Sequence, residues 1–234
     1  MISNKERVNI VKAAAVLLFA AVFAVTAARA QTQQQWRDSL RVVNGLIELH
    51  PDSVGLQLDK AAVCLQLHEW EDAITACGKV LGRDGGNLSA LFYRAYANNN
   101  LRRYEQARSD YADFLRMAPD NMEARFGLAY TYSRMGRSQE ALDELNNLVE
   151  MYPDSSVVYA ARAELEKDMK LYDTALYDFD EALKRDPGNR DYTVSKVEIL
   201  ILLDRRGEAK AALDEAVKRG VPRGLLLGLY AKCK

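Results

Sequence analysis

Residues 122–155 read MEARFGLAYTYSRMGRSQEALDELNNLVEMYPDS, and this stretch decides the fold. Ala129 and Ala141 flank a turn marked by Gly136, and Pro153 stops the chain from continuing as α-helix. Working outward, prolines recur at Pro51, Pro119, Pro153 and Pro187, at multiples of thirty-four residues. The missing beat falls at Gly85, and the next at Val221 with Pro222 beside it. With that beat as position 32, the units are 54–87, 88–121, 122–155, 156–189 and 190–223.

Other positions hold the same register. Position 20 is alanine five times: Ala73, Ala107, Ala141, Ala175 and Ala209. Position 8 is Ala61, Ala95, Ala129, Ala163 and Val197. Small residues at both places let two antiparallel helices cross closely. Position 24 is Cys77, Tyr111, Leu145, Phe179 and Leu213, and position 28 is Leu81, Leu115, Val149, Leu183 and Val217. Positions 20, 24, 27 and 28 follow the 3.6-residue rhythm of one buried helical face. Trp70, Tyr104 and Tyr172 at position 17 read as rings wedged at the turn between the helices.

These residues resemble the tetratricopeptide repeat. Leu128-Ala129, Tyr132, Gly136, Ala141 and Pro153 stand where that family has Leu-Gly, Tyr, Gly, Ala and Pro. Ala163, Tyr172, Ala175, Phe179, Ala182 and Pro187 of the fourth unit match nearly as well. Position 7 departs from the pattern: it is basic in four units (Lys60, Arg94, Arg162, Lys196) where the family prefers Leu. The resemblance implies an all-α, right-handed α-solenoid of helix–turn–helix repeats. In the same register, residues 31–53 are expected to form an N-terminal capping helix that buries Leu40, Val43 and Ile47 on the first repeat. Residues 224–234 are expected to close the other end, with Leu225 to Tyr230 as the capping helix.

The first thirty residues read as an address. Lys5, Arg7 and Lys12 precede the sixteen-residue run Ala13 to Ala28, which ends at Ala28-Arg29-Ala30, a small-x-small pattern. A signal peptide cleaved after Ala30 is expected, with an uncleaved membrane anchor as the minor alternative, and a periplasmic or secreted location follows. Of 32 basic and 33 acidic residues, cleavage removes four and one, leaving a mature charge of −4. No basic run is present to neutralise phosphates, so no nucleic-acid partner is expected. No membrane contact is expected after cleavage.

Chemistry has few materials here. His50 and His68 are the two histidines, and Cys64, Cys77 and Cys233 the three cysteines. Cys64 and Cys77 fall on core positions 11 and 24. They are read as core residues, with an intra-repeat disulfide as the alternative in an oxidising compartment, and a metal site is not expected. No phosphate loop, metalloprotease motif or nucleophile elbow occurs, so no enzyme activity and no cofactor are expected.

The resemblance places positions 2, 5, 9, 12 and 13 on a concave groove. Phe92, Tyr96, Phe126 and Tyr130 then form a two-by-two aromatic patch bordered by Asn99, Asn100 and Arg134. Rings bury large area at low entropy cost, and Asn pairs with the backbone of an extended peptide. The alternative is that the rings pack against one another. Position 5 reads Leu58, Phe92, Phe126, Ala160 and Val194, without the lysine of family members that clamp a chaperone C-terminal carboxylate. The expected function is a non-catalytic adaptor or scaffold binding a protein or peptide partner in an extracytoplasmic compartment. The alternative is a self-associating module, a homodimer through its apolar C-terminal end, where Ile201 and Leu202 lie near Leu225 to Tyr230.

Overall fold

Capping residues recur with the same period as the prolines and fix where each first helix begins. Asn87 and Asn121 accept the backbone N–H of Ala90 and Ala124 at 3.1 and 2.8 Å, and Asn189 accepts from Asp191 and Tyr192. The computed structural model describes residues 33–233, so the proposed signal peptide lies outside the described residues. Among these residues there are twelve α-helices: α1 (Gln33–Leu49), α2 (Val54–Leu67), α3 (Trp70–Leu81), α4 (Leu88–Asn100), α5 (Tyr104–Met117), α6 (Met122–Arg134), α7 (Ser138–Met151), α8 (Ser156–Asp168), α9 (Tyr172–Arg185), α10 (Arg190–Leu202), α11 (Arg206–Lys218) and α12 (Leu227–Lys232). The fold is that of the all-α solenoid class. No described helix is long and apolar enough to cross a membrane.

Position 15 makes every turn. His68, Arg102, Gly136, Lys170 and Asp204 all have positive φ, between 56° and 76°. The following amide then reaches back to the carbonyl five residues earlier, as in Glu69 to Cys64 and Arg103 to Asn98, both at 2.8 Å. Glycine satisfies this geometry without strain at Gly136, whereas four units impose it on larger residues.

The chain divides into two compact units, one ending at Arg137 and the other starting at Ser138. Within the first, consecutive helices from α1 to α6 pack on one another, and within the second the same holds from α7 to α11. Alanines at the crossings are buried: Ala61, Ala73, Ala95 and Ala107 in the first unit, Ala163, Ala175 and Ala209 in the second. Beside them Tyr111, Leu148, Phe179, Leu200 and Leu213 are almost wholly enclosed. Burying an aliphatic or phenyl side chain of this size contributes about 1.5–3 kcal/mol.

The ends depart from the expectation in detail. Leu40, Val43 and Ile47 of α1 are half-buried rather than enclosed, and Val42, Leu46 and Leu49 are open to solvent. At the other end the closing segment is not one helix from Leu225. A 3-10 turn spans Arg223–Leu226 and drives Leu226 fully into the core beside Val197, Leu213 and Val221, and only then does α12 start. Leu225 and Leu227 point outward. Cys64 and Cys77 are free thiols enclosed in the first unit, at the core positions the register gives them. Burial pushes their pKa values up to about 11 and about 12, which keeps both protonated and unreactive.

Two of the four basic residues at position 7, Arg94 and Arg162, are explained by what stands opposite. Arg94 holds Asp110 with two hydrogen bonds, at 2.9 and 2.6 Å. Arg162 holds Asp178 in the same way, at 2.6 and 2.8 Å, and also donates to Asn146. A leucine–apolar contact is thus replaced twice by a fork-to-carboxylate pair that spans the two helices of one repeat. In the second frame Glu166 lies beside Asp178, and burial, with that neighbouring charge, raises its pKa to about 7. The folded state therefore binds this proton more tightly than the unfolded chain. Its stabilising effect is fully present below pH 4.5 and is lost as pH rises through 7. We expect the stability difference between wild type and Glu166→Gln to change by at most about 3 kcal/mol between pH 4.5 and 7 and to stay flat above. Urea unfolding of both proteins across that range checks it, and parallel pH curves would refute it.

Candidate partner-binding face

Helices α4 and α6 carry the seven groove residues expected from the sequence, all within the first compact unit. The structure separates them by burial. Phe126 is 9% exposed and Asn99 7%, so neither offers much surface to a partner. Phe92 is half-buried and meets the core rings edge-on, with centroids 5.8 Å from Tyr111 and 6.0 Å from Phe114. Asn99 donates to the Thr131 hydroxyl at 2.9 Å and hydrogen-bonds Tyr111, whose own hydroxyl is deeply buried. Asn100 donates to the Tyr96 carbonyl one turn back at 2.9 Å. Part of the patch is thus architecture, because a polar group enclosed in a helix stack must find an internal partner.

What stays at the surface is a narrower strip: Tyr96 and Tyr130, both half-buried, with Arg134 exposed. Tyr96 lies edge-on to Trp70 at 6.0 Å, and Trp70 in turn packs against the His68 ring at 4.9 Å. Tyr130 sits among Arg134, Tyr104, Tyr96 and Arg102; burial raises its hydroxyl pKa and the nearby Arg134 charge opposes this. Arg134 donates from Nε to the Tyr104 hydroxyl at 3.3 Å and lies over its ring at 6.0 Å. The sequence treats Trp70 and Tyr104 only as wedges at the turn. They also extend the strip, because position 17 opens each second helix beside the end of the first. Their signal was the ring at position 17 followed around the turn to position 9. The ring faces on this strip lie beside two guanidinium groups, a surface suited to stacking and to holding a carboxylate or backbone carbonyl.

Sequence profiles of the tetratricopeptide repeat match residues 65–119 and 101–165. No curated protein matches the chain in sequence. Solved structures with a similar fold include a tetratricopeptide repeat protein from Parabacteroides merdae, 19% identical, with TM-score 0.63, covering 86% of this chain and 78% of that one. Another is YrrB, described as having an unusual peptide-binding site, 19% identical with TM-score 0.59, covering 75% of this chain and 91% of that one. MamA of Desulfovibrio magneticus is a third, 16% identical with TM-score 0.63, covering 70% and 93%. At these identities the likeness concerns the fold. With the period, the paired small residues, the turns at position 15 and the profile matches all in agreement, the chain belongs to the tetratricopeptide repeat family.

Proposed function

We propose that this protein is a non-catalytic scaffold that seats a peptide or a partner helix on the strip formed by Tyr96, Tyr130 and Arg134. The observation that carries the reading is the partition of the rings. Phe126 is enclosed, whereas Tyr96 and Tyr130 are only half-buried on the same face, with Arg134 and Arg102 exposed. A repeat stack needs no such strip to fold. YrrB, similar in fold, is described as binding peptide, which supports the same use here. The signal-like start of the sequence supports an extracytoplasmic workplace, and N-terminal sequencing of the exported protein should then begin at Gln31.

Tyr130→Ala with Arg134→Ala is expected to weaken capture of the native partner about tenfold or more while helicity and melting stay within error of wild type. Asn99→Ala should behave oppositely, lowering stability by about 1–3 kcal/mol because Thr131 and Tyr111 lose a buried partner. Retention of the partner by the Tyr130/Arg134 double variant would remove the strip from consideration.

A second reading has its own observation. Leu202, Leu225 and Leu227 are each more than half exposed at the C-terminal end, with Leu203 beside Leu202 in sequence. Such a cluster is the kind of surface that copies of one chain cover for each other. Light scattering of a dimer that Leu202→Glu converts to monomer would support that reading. A wild-type monomer at micromolar concentration would end it.

A further inference from the structure

The second unit contains a cleft unrelated to the strip of the first. It has a volume of about 390 Å³ and is lined by Asn146 of α7, Arg162 and Glu166 of α8, and Thr174, Tyr177 and Asp178 of α9. Its inner wall is built from charged groups: Asp178 is 1% exposed and Glu166 7%. Oε2 of Glu166 is buried and has no hydrogen-bond partner, while the carboxyl group as a whole interacts with Thr174 and Asp178. At the rim, the ring of Tyr177 is 62% exposed, unusual for a side chain with so much apolar area.

An internal control stands in the first unit. The second repeat builds the same frame from Arg94 and Asp110, but there the residue at the place of Glu166 is Asn98, a buried neutral amide. Arginine, aspartate and amide sum to zero charge. Arginine, aspartate and glutamate do not: the frame of the fourth repeat is one positive charge short. The remaining groups facing the cleft do not correct this: Asn146 is neutral, and Asp173 adds a negative charge whose neighbour Arg205, 3.9 Å away, is itself held by Glu208. No set of three His, Cys, Asp or Glu side chains able to hold a metal ion exists among the described residues, so the missing charge suits an organic cation.

We propose that this cleft binds an alkylammonium or alkylguanidinium head, from a lysine or arginine side chain or from a free amine. The cation would sit with Glu166 and Asp178 beneath it and the Tyr177 ring over it. An N–H of the cation donates to the Glu166 carboxylate, supplying the hydrogen bond that Oε2 lacks, and the ring face adds a cation–π contact. Without ligand, the shortage is met by a proton, consistent with the raised pKa of Glu166. Proton and cation therefore compete for one carboxylate.

The test is calorimetric titration of the full chain with N-acetyl-arginine methylamide, N-acetyl-lysine methylamide and putrescine, at pH 8 and pH 5.5. Saturable binding is expected at pH 8, about thirtyfold weaker at pH 5.5, the ratio of ionised Glu166 for a pKa of about 7. Binding of the blocked amino acids identifies a partner's side chain as the source, and binding of putrescine alone a free amine; both support the site. E166Q should fold, as Asn98 does in the equivalent frame, and should lose binding. Tyr177→Ala, a change at an exposed position, should weaken binding roughly three- to tenfold. No saturable binding by any of the three at pH 8 overturns the proposal. So does equal affinity at the two pH values, or wild-type affinity in E166Q.

Discussion

Gly127→Ala should destabilise the protein by about 3 kcal/mol or more, although alanine is the better helix former. Gly127 lies in the interior of α6, where the exchange alone would gain about 1 kcal/mol. A Cβ built there would stand 2.3 Å from the Tyr111 ring and 2.6 Å from its hydroxyl oxygen, far inside van der Waals contact. Tyr111 is 1% exposed and its hydroxyl is tied to Asn99, so the ring has nowhere to retreat. Overpacking of a closed site costs about 1–3 kcal/mol and more when neither side can shift. The same exchange in a Tyr111→Leu background should be neutral or stabilising, because the obstructing ring is gone. Chemical unfolding of the four proteins of this cycle measures the reversal of sign. An effect of Gly127→Ala within 0.5 kcal/mol of zero, or one that is equal in both backgrounds, would contradict the close approach.

The contact explains what was legible in the sequence and what was not. The period, the alanines at the crossings and the helix-ending prolines are local statements, and each corresponds to a buried crossing or a turn in the structure. Gly127 next to Leu128-Ala129 is also plain in the sequence, but its reason lies sixteen residues upstream, on the preceding helix. Groove positions 5 and 9 illustrate the same limit. Both were expected to face a partner, yet Phe126 is drawn inward and Tyr130 stays out. The difference is set by the depth of each side chain between neighbouring helices, which a one-dimensional register does not encode. Position 7 is the converse case. Of its four basic residues, all departures from the family pattern, Arg94 and Arg162 find their reason in Asp110 and Asp178, sixteen residues on and one helix away. Spacing between position 7 and position 23 would have revealed those pairs, since both positions lie on the facing sides of one repeat. At the C-terminal end, the leucine run suggested one continuous helix. The 3-10 turn interrupts it because Val221 and Leu226 both have to reach the core across Pro222.

Arg162→Leu is expected to cost about 3–5 kcal/mol, even though leucine is what the family prefers there and what Leu128 supplies in the third repeat. The arginine side chain is 18% exposed and the side chain of its partner Asp178 2%, so removing the cation leaves a carboxylate enclosed with no counter-charge and two fewer hydrogen bonds. Glu166 beside it worsens the imbalance at neutral pH, and the penalty should shrink at pH 5, where Glu166 carries its proton. Arg162→Leu combined with Asp178→Leu should recover most of the loss. An apolar pair of similar volume avoids the desolvation that the ion pair must overcome, and such replacements are often neutral or stabilising by about 1–4 kcal/mol. The two outcomes together decide what the frame is for. If the double variant is as stable as wild type, the Arg162–Asp178 pair contributes no net stability. Its retention beside Glu166 and Tyr177 would then be explained by the cleft, which requires the arginine to hold Asp178 in place. If instead the double variant is as unstable as Arg162→Leu alone, the pair is structural in its own right, and the charge shortage at Glu166 is a by-product of a frame the fold cannot do without.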